Sequence, residues 1–411
     1  MISTYNNYPN LNKTLEEIEV YSSKEISLRA KNTNEVVNLS FGEPQFGPPE
    51  YLLQNIEKED LTIDNFLNAV KRYENAKGCS ELRKAIALWY KRKYKLDIDS
   101  ETEIMVTHGG VEAIALSILC TTEINDIISV TDPAYMLYSR ALKALGRKAS
   151  FFVRTPGTYE YKDAFVRLAF QDVLQQSKAI IINSPENPSG YVVDQSEWIL
   201  IGKYATKKNL WIIHDEVYDT MDFGRKHIPC FSIDELRERS ILINSCSKKF
   251  GIPGLRIGWM IANKKVIDLA SKIHDYLYLG INILHERIAT RLLTDDGIDI
   301  WLSDISLQLQ GRVNKALLQL REEEGFNWLR TPLGGMFLFP NIKGLYDMMP
   351  KYYKKTDQSI SNAVTDYLFK EKRIAVVPGS VYGIQSSDYI RLVLCTPNQD
   401  FELAINRLKN N

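Results

Sequence analysis

The chain has 411 residues, enough for one large and one smaller domain, and its 51 lysines and arginines are balanced by 51 aspartates and glutamates. A net charge of zero gives no electrostatic case for a nucleic-acid or anionic-membrane partner, and a hydrophobic share of 45% is that of an ordinary globular protein. Apolar runs are short and interrupted, so no membrane span is expected, and the polar stretch 1–12 lacks the apolar core of a secretory signal. The cysteines at 79, 120, 230, 246 and 395 show no paired spacing. They read as reduced thiols of a cytoplasmic protein, with neither a disulfide framework nor a metal site.

In chain order, the pattern predicts a helical segment over 15–30 and a short strand over 36–39. A Gly/Pro-rich loop follows, Ser40-Phe41-Gly42-Glu43-Pro44-Gln45-Phe46-Gly47-Pro48-Pro49. Arg72-Tyr73 precedes Gly78-Cys79-Ser80, which opens an amphipathic helix with Leu82, Ile86, Trp89 and Tyr90 on one face. From Ile104 strands and helices alternate, with strand candidates at 104–107, 127–131, 149–153, 179–183, 210–214, 240–244 and 256–262. That alternation argues for a largely parallel sheet covered on both faces, with ligands at the carboxyl ends of its strands. Beyond it, helices are predicted over 267–279 and 283–293, and a long amphipathic helix over 304–325 should lead into the smaller domain.

The chemistry-bearing residues cluster at those strand ends. Thr107-His108-Gly109-Gly110-Val111 opens a helix with two glycines, whose free N–H groups and dipole favour an anion; His108 itself reads as structural. Asp132-Pro133-Ala134-Tyr135-Met136-Leu137-Tyr138, Asn183-Ser184-Pro185-Glu186-Asn187-Pro188-Ser189-Gly190 and Asp215-Glu216-Val217-Tyr218 each follow a strand. The densest stretch is Ser245-Cys246-Ser247-Lys248-Lys249-Phe250-Gly251-Ile252-Pro253-Gly254-Leu255-Arg256-Ile257-Gly258. Its serines can donate to phosphate oxygens, Arg256 adds a charge-assisted contact, and the glycines permit close backbone approach. A lysine among cationic neighbours has its pKa pushed down, which frees the amine to form a Schiff base. Arg391, in Asp388-Tyr389-Ile390-Arg391-Leu392, has apolar neighbours, and burying it is costly unless it meets an anion.

The lysine loop resembles that of the class I/II aminotransferases, pyridoxal 5'-phosphate (PLP) enzymes of fold type I. Their pattern is Ser-x-Ser-Lys with an arginine eight residues beyond the lysine. Lys248 and Arg256 keep this spacing, whereas Lys249 would put the arginine one residue too near. The loops at Gly42, Tyr73, Gly109-Gly110, Tyr135, Asn187 and Asp215 are similar to family motifs in the same order, as are Pro332-Leu333-Gly334-Gly335 and Val377-Pro378-Gly379. The resemblance implies an α/β fold, with a large domain built on a mostly parallel seven-stranded sheet between helices, plus a smaller α+β domain. It divides the chain into an arm over 1–45 contributing to the small domain, a PLP-binding domain over 46–300 and a small domain over 301–411.

The same resemblance implies residue roles. Lys248 forms the Schiff base. The phosphate is held by Gly110, Val111, Ser245, Ser247 and Arg256, and by Tyr73 reaching across a homodimer interface. Tyr135 stacks on the ring, Asn187 and Tyr218 bond its 3-oxygen, and Asp215 pairs with its nitrogen, making the ring an electron sink. Gly42, Asn187 and Arg391 receive the substrate, and Lys248, Asp215 and Tyr218 form the catalytic group. The peptide bonds before Pro133 and Pro188 are expected to be cis. The implied reaction is transamination between an L-α-amino acid and a 2-oxo acid. In some bacterial aspartate aminotransferases a lysine directly after the Gly-Gly pair binds the distal carboxylate. Val111 stands there, which argues against aspartate or glutamate as the main donor. The loop Gly251 to Arg256, with Asp275-Tyr276-Leu277 and Gly334-Gly335, also resembles capreomycidine synthase, a PLP enzyme that eliminates from and cyclises a hydroxylated arginine. A cofactor-binding regulator without turnover is a third reading, but no spare DNA-binding domain is visible.

Overall fold

A computed structural model describes residues 11–153 and 175–409; the first ten residues of the expected N-terminal arm and the last two of the expected small domain lie outside them. After a two-residue strand β1 (Val37–Asn38), seven strands build the central sheet. They are β2 (Ile104–Thr107), β3 (Ile127–Asp132), β4 (Lys148–Val153), β5 (Ser177–Asn183), β6 (Trp211–Asp215), β7 (Ser240–Ser245) and β8 (Gly258–Ile261). Their order is β2-β8-β7-β6-β5-β3-β4. Only β8 runs antiparallel, to both its neighbours. Strands covered on both faces need apolar residues at successive positions. Ile180-Ile181-Ile182 and Ile241-Leu242-Ile243 supply them, and all six side chains are buried.

Parallel pairing puts the active ends of the strands together. Asn183 and Asp215 are direct partners at the carboxyl ends of β5 and β6, and Asp215 is in turn opposite Ile243 of β7, two residues before Ser245. The helix Ser80–Tyr94 packs its predicted face, Leu82, Ile86, Trp89 and Tyr90, into one core; the helix Gly109–Thr121 covers the opposite face of the sheet. A second core forms around the antiparallel sheet of β9 (Phe337–Leu338), β11 (Val377–Pro378) and β12 (Ile390–Val393), in the order β11-β12-β9. There β1 pairs in parallel with β10 (Ile374–Ala375), which ties the N-terminal segment to the C-terminal part of the chain.

Three expectations shift. The helical segment over 15–30 is two helices, Lys13–Glu16 and Ser22–Lys31. The residues around the break are held by distant partners, Glu17 by Lys143, Glu19 by Arg140 and Tyr21 by Tyr135, so tertiary contacts override local propensity. The long helix runs over Ile298–Gln319 and not 304–325, because Glu322–Glu324 form a separate turn closed by Gly325 at φ 83°. The strand expected from 256 begins at Gly258, and Arg256 stands before it in the left-handed region at φ 55°.

That last turn is packed backbone to backbone. A Cβ at Gly258 would lie 2.5 Å from the carbonyl carbon of Gly109 and 2.7 Å from the nitrogen of Gly110. Neither atom can swing away as a side chain does. Gly258→Ala is therefore expected to lose about 1–3 kcal/mol of stability, measured by urea denaturation; an unchanged midpoint at unchanged slope refutes this account of the turn.

Candidate active site

The lysine loop begins where β7 ends. The Ser245 hydroxyl caps the short turn Cys246–Lys249 by accepting the Ser247 N–H at 3.1 Å, and it lies 2.9 Å from the Ser247 hydroxyl. Lys248 emerges from this turn into a cavity of about 600 Å³, and its Nζ donates to the Gly42 carbonyl at 2.5 Å. Burial, with the Arg391 cation second, lowers the Lys248 amine to about 8. Arg256 donates to the Pro253 carbonyl at 2.8 Å and the His108 carbonyl at 3.3 Å, and reaches the Ser247 hydroxyl at 3.5 Å. Among the described residues no carboxylate pairs with it. Gly110 and Val111 line the same corner at the first turn of the helix Gly109–Thr121, where N–H groups lack helical acceptors.

Asp215 faces the cavity from the end of β6 and is 3% exposed. One of its oxygens accepts from the Tyr138 hydroxyl at 2.6 Å and the other from the Val217 N–H at 3.3 Å. Burial raises its pKa from 3.8 to about 6, against the pull of those two hydrogen bonds. Tyr138 received no role from the sequence. It is three residues beyond Tyr135 where a helix begins, a spacing that puts both on one side. Their rings meet edge to face at 5.5 Å. The Tyr135 hydroxyl is 2.5 Å from that of Tyr21, so the N-terminal segment forms part of the cavity wall. A contact spanning 114 residues leaves no local signal.

Arg391 is 2% exposed, and among the described residues it has no acidic partner. It donates to the Asn187 side-chain oxygen at 3.1 Å and the Ser40 carbonyl at 2.6 Å, while its Nε has no hydrogen-bond partner among the described residues. The Phe337 and Tyr382 rings flank it at 4.6 and 5.2 Å. Asn187 is placed by Asn183, which accepts the Asn187 N–H at 2.7 Å and donates to the Asp215 carbonyl at 2.8 Å. Tyr218 is buried edge to face against Phe337, 5.5 Å between centroids. The bonds before Pro133 and Pro188 are cis, as expected, and so is the one before Pro185. Every residue assigned from the sequence reaches this cavity except Tyr73, which is 79% exposed and does not line it.

This set of groups fits PLP. An amine held partly neutral suits an aldehyde, and a buried acid that forms no ion pair among the described residues suits a protonated ring nitrogen. Two hydroxyls, an unpaired arginine and a helix N-terminus suit a phosphate. Sheet and site together define a PLP-dependent enzyme of fold type I. The chain belongs to the family "Aminotransferase class I and II", whose sequence model matches residues 34–408, and it is a PLP-dependent aminotransferase.

It is similar to (5-formylfuran-3-yl)methyl phosphate transaminase of Methanocaldococcus jannaschii, 27% identical over 375 residues, covering 91% of this chain and 90% of that one. LL-diaminopimelate aminotransferase of Dehalococcoides mccartyi is 28% identical over 405 residues, covering 97% and 98%. Among solved structures, N-succinyldiaminopimelate aminotransferase from Mycobacterium tuberculosis superposes with a TM-score of 0.83 at 27% identity, over 97% of this chain and 99% of that one. These relatives favour transamination over the cyclisation alternative. Among the described residues no helix is long and apolar enough to cross a membrane.

The raised pKa of Asp215 has a consequence for stability. Above pH 3.8 the carboxyl ionises in the unfolded chain, while the folded protein resists ionisation until about 6. The folded state thus binds more protons in that window, and stability falls as pH rises through it. Cofactor-free Asp215→Asn is expected to melt above the cofactor-free parent at pH 7 and to lose that advantage below about pH 4. Equal melting temperatures at pH 7 refute the assignment.

Proposed function

We propose that Lys248 carries the cofactor and moves the proton in transamination of an L-α-amino acid whose side chain is apolar or aromatic, in a homodimer of this chain. The observation that carries this reading is the convergence of Lys248, Asp215 and Arg391 on one cavity. PLP, when bound, supplies an electron sink that acidifies the substrate's Cα–H bond. Ser245, Ser247, Arg256 and the N–H groups of Gly110 and Val111 would hold its phosphate. Tyr135 would lie on its ring, Asn187 and Tyr218 would hold its 3-oxygen, and Asp215, oriented by Tyr138, would keep its nitrogen protonated. Arg391 receives the α-carboxylate, and a planar fork with free donors suits that shape. Lys248 Nζ, as the free amine once the substrate's own amine has taken its place, would take the proton from Cα. An amine with a pKa of about 8 exchanges protons readily near neutral pH.

The substrate class follows from the rest of the wall. Tyr21, Phe41, Ile114, Leu137 and Phe337 present apolar surface, and Val111 adds to it where a distal-carboxylate lysine would stand. Lys24 and Glu43 lie exposed at the cavity and are opposite in sign, so together they add no net charge. Tyr73 supports the dimer. It closes an exposed apolar run with Leu61, Ile63, Phe66 and Val70, a surface that an isologous second copy would cover. The division into an arm (1–45), a large domain (46–300) and a small domain (301–411) is part of the proposal, supported by the separate cores of the two sheets. Five free thiols support a reducing compartment, the cytoplasm.

Borohydride reduction followed by peptide mapping should place the pyridoxyl group on Lys248, and Lys248→Ala should abolish turnover; an adduct on Lys249 sinks the assignment. With a panel of amino acids and no oxo-acid acceptor, aromatic and large apolar donors should convert bound PLP to pyridoxamine phosphate faster than aspartate does. Val111→Lys should raise kcat/KM for aspartate by about tenfold, the worth of one charged hydrogen bond. No gain means that the distal group does not pass position 111. Light scattering should give the mass of a dimer.

A further inference from the structure

Three residues that face the cavity are each followed in sequence by an ionisable residue that faces away from it. Glu216 follows Asp215, Asp219 follows Tyr218, and Lys249 follows Lys248; all three followers are 0% exposed. Behind the cavity they meet the helix Ser80–Tyr94. Lys249 Nζ pairs with Asp219 and lies 4.7 Å from the centre of the Trp89 ring. The other Asp219 oxygen accepts from the Tyr94 hydroxyl at 2.7 Å. Glu216 accepts from the Tyr90 hydroxyl and from Asn244 at 3.3 Å, and its second oxygen meets His227 Nε2 at 2.8 Å.

His214, Glu216 and His227 have the composition of a metal site. Most of their atoms are already engaged, however; of their ring nitrogens and carboxylate oxygens, His227 Nδ1 is left without a hydrogen-bond partner among the described residues. His214 Nε2 donates to the Ser184 carbonyl at 3.2 Å, His214 Nδ1 accepts the Cys230 N–H at 3.3 Å, and both Glu216 oxygens are taken. Behind the segments carrying Asp215, Tyr218 and Lys248 lies a buried network anchored on one helix, with Glu216 bonded to Tyr90, Asp219 bonded to Tyr94, and Lys249 paired with Asp219. Packing alone does not call for such a network, since a buried ion pair can often be replaced by apolar residues at no loss of stability.

The turn Cys246–Lys249 explains what the pair does. Adjacent residues of a helical turn point about 100° apart, so pinning Lys249 on the far side fixes the direction in which Lys248 leaves the backbone. We propose that Lys249 and Asp219 are a positioning pair: they clamp this turn so that Lys248 Nζ meets the substrate Cα–H at the angle that proton transfer needs. The inference rests on Lys248 being the cofactor lysine and adds a residue pair that never touches substrate.

The test uses the PLP-loaded enzyme with the double variant K249M/D219N, in which Met replaces most of the lysine's volume and Asn still accepts from Tyr94. Expected are a roughly 10- to 100-fold fall in kcat with little change in KM, a larger primary isotope effect with α-deuterated donor, and faster amide exchange confined to 245–250. The melting temperature should stay within a few degrees. Borohydride mapping of the same sample reports separately on whether Lys248 is the cofactor lysine. Unchanged kcat and isotope effect overturn the proposal, and so does a loss of activity matched by lower stability and faster exchange throughout the sheet. Where the double variant does not fold, Tyr94→Phe carries the test by removing one hydroxyl: a raised isotope effect is expected, and its absence overturns the proposal.

Discussion

The structure holds two opposite charges in one cavity without letting them meet. Among the described residues Arg391 is a buried cation that pairs with no acid, and Asp215 is a buried acid that forms no ion pair, its bonds coming from Tyr138 and the Val217 N–H. Direct pairing would be the cheap arrangement electrostatically. It is prevented by the scaffold. Asp215 belongs to a central strand of the large sheet, and Arg391 to β12 of the small one. Between them Asn187 accepts from Arg391, while Asn183 holds both Asn187 and the Asp215 carbonyl. Neutral hydrogen bonds fix both positions and leave both charges available to a ligand. Such uncompensated charge lowers the stability of the empty protein, which is the usual relation between a preorganised site and its fold.

Much of this was legible in the sequence because the fold places its chemistry where local patterns end. Each strand run stops at a polar cluster, and parallel pairing brings those ends together without further information. The lysine loop, the Asn187 loop and Asp215 are all readable in this way. The illegible parts depend on contacts far apart in the chain. Tyr21 reaches Tyr135 over 114 residues, and the same N-terminal segment is pulled out of a continuous helix by Arg140 and Lys143. Tyr138 has the right spacing but is apolar enough to read as packing, and only the position of Asp215 reveals its hydroxyl's use. Arg256 reads as the start of a strand by its apolar followers, but Gly258 must pass against Gly109, and the chain turns before it can pair.

Lys249 has opposite standings in the sequence pattern and in the fold. Spacing to Arg256 favours its neighbour Lys248 as the proposed cofactor lysine, and from sequence alone a second lysine in that loop would be placed in solvent. The structure buries it instead, against Asp219 and Trp89. The alternation responsible is simple. At the ends of β6 and β7 one residue enters the cavity and the next enters the space behind it. Chemistry on the near side thus comes with an equally specified far side, built from Glu216, Asp219 and Lys249 on the strand ends and from Trp89, Tyr90 and Tyr94 on one helix. That helix follows Gly78 and Cys79, a few residues beyond the stretch that carries Tyr73, so the far-side network lies close in sequence to the exposed face proposed for dimer contact. A change in that helix should therefore be felt by the lysine turn through hydrogen bonds alone, with no contact to the cofactor or the substrate. Local order behind the cavity is in this sense a condition for the geometry within it.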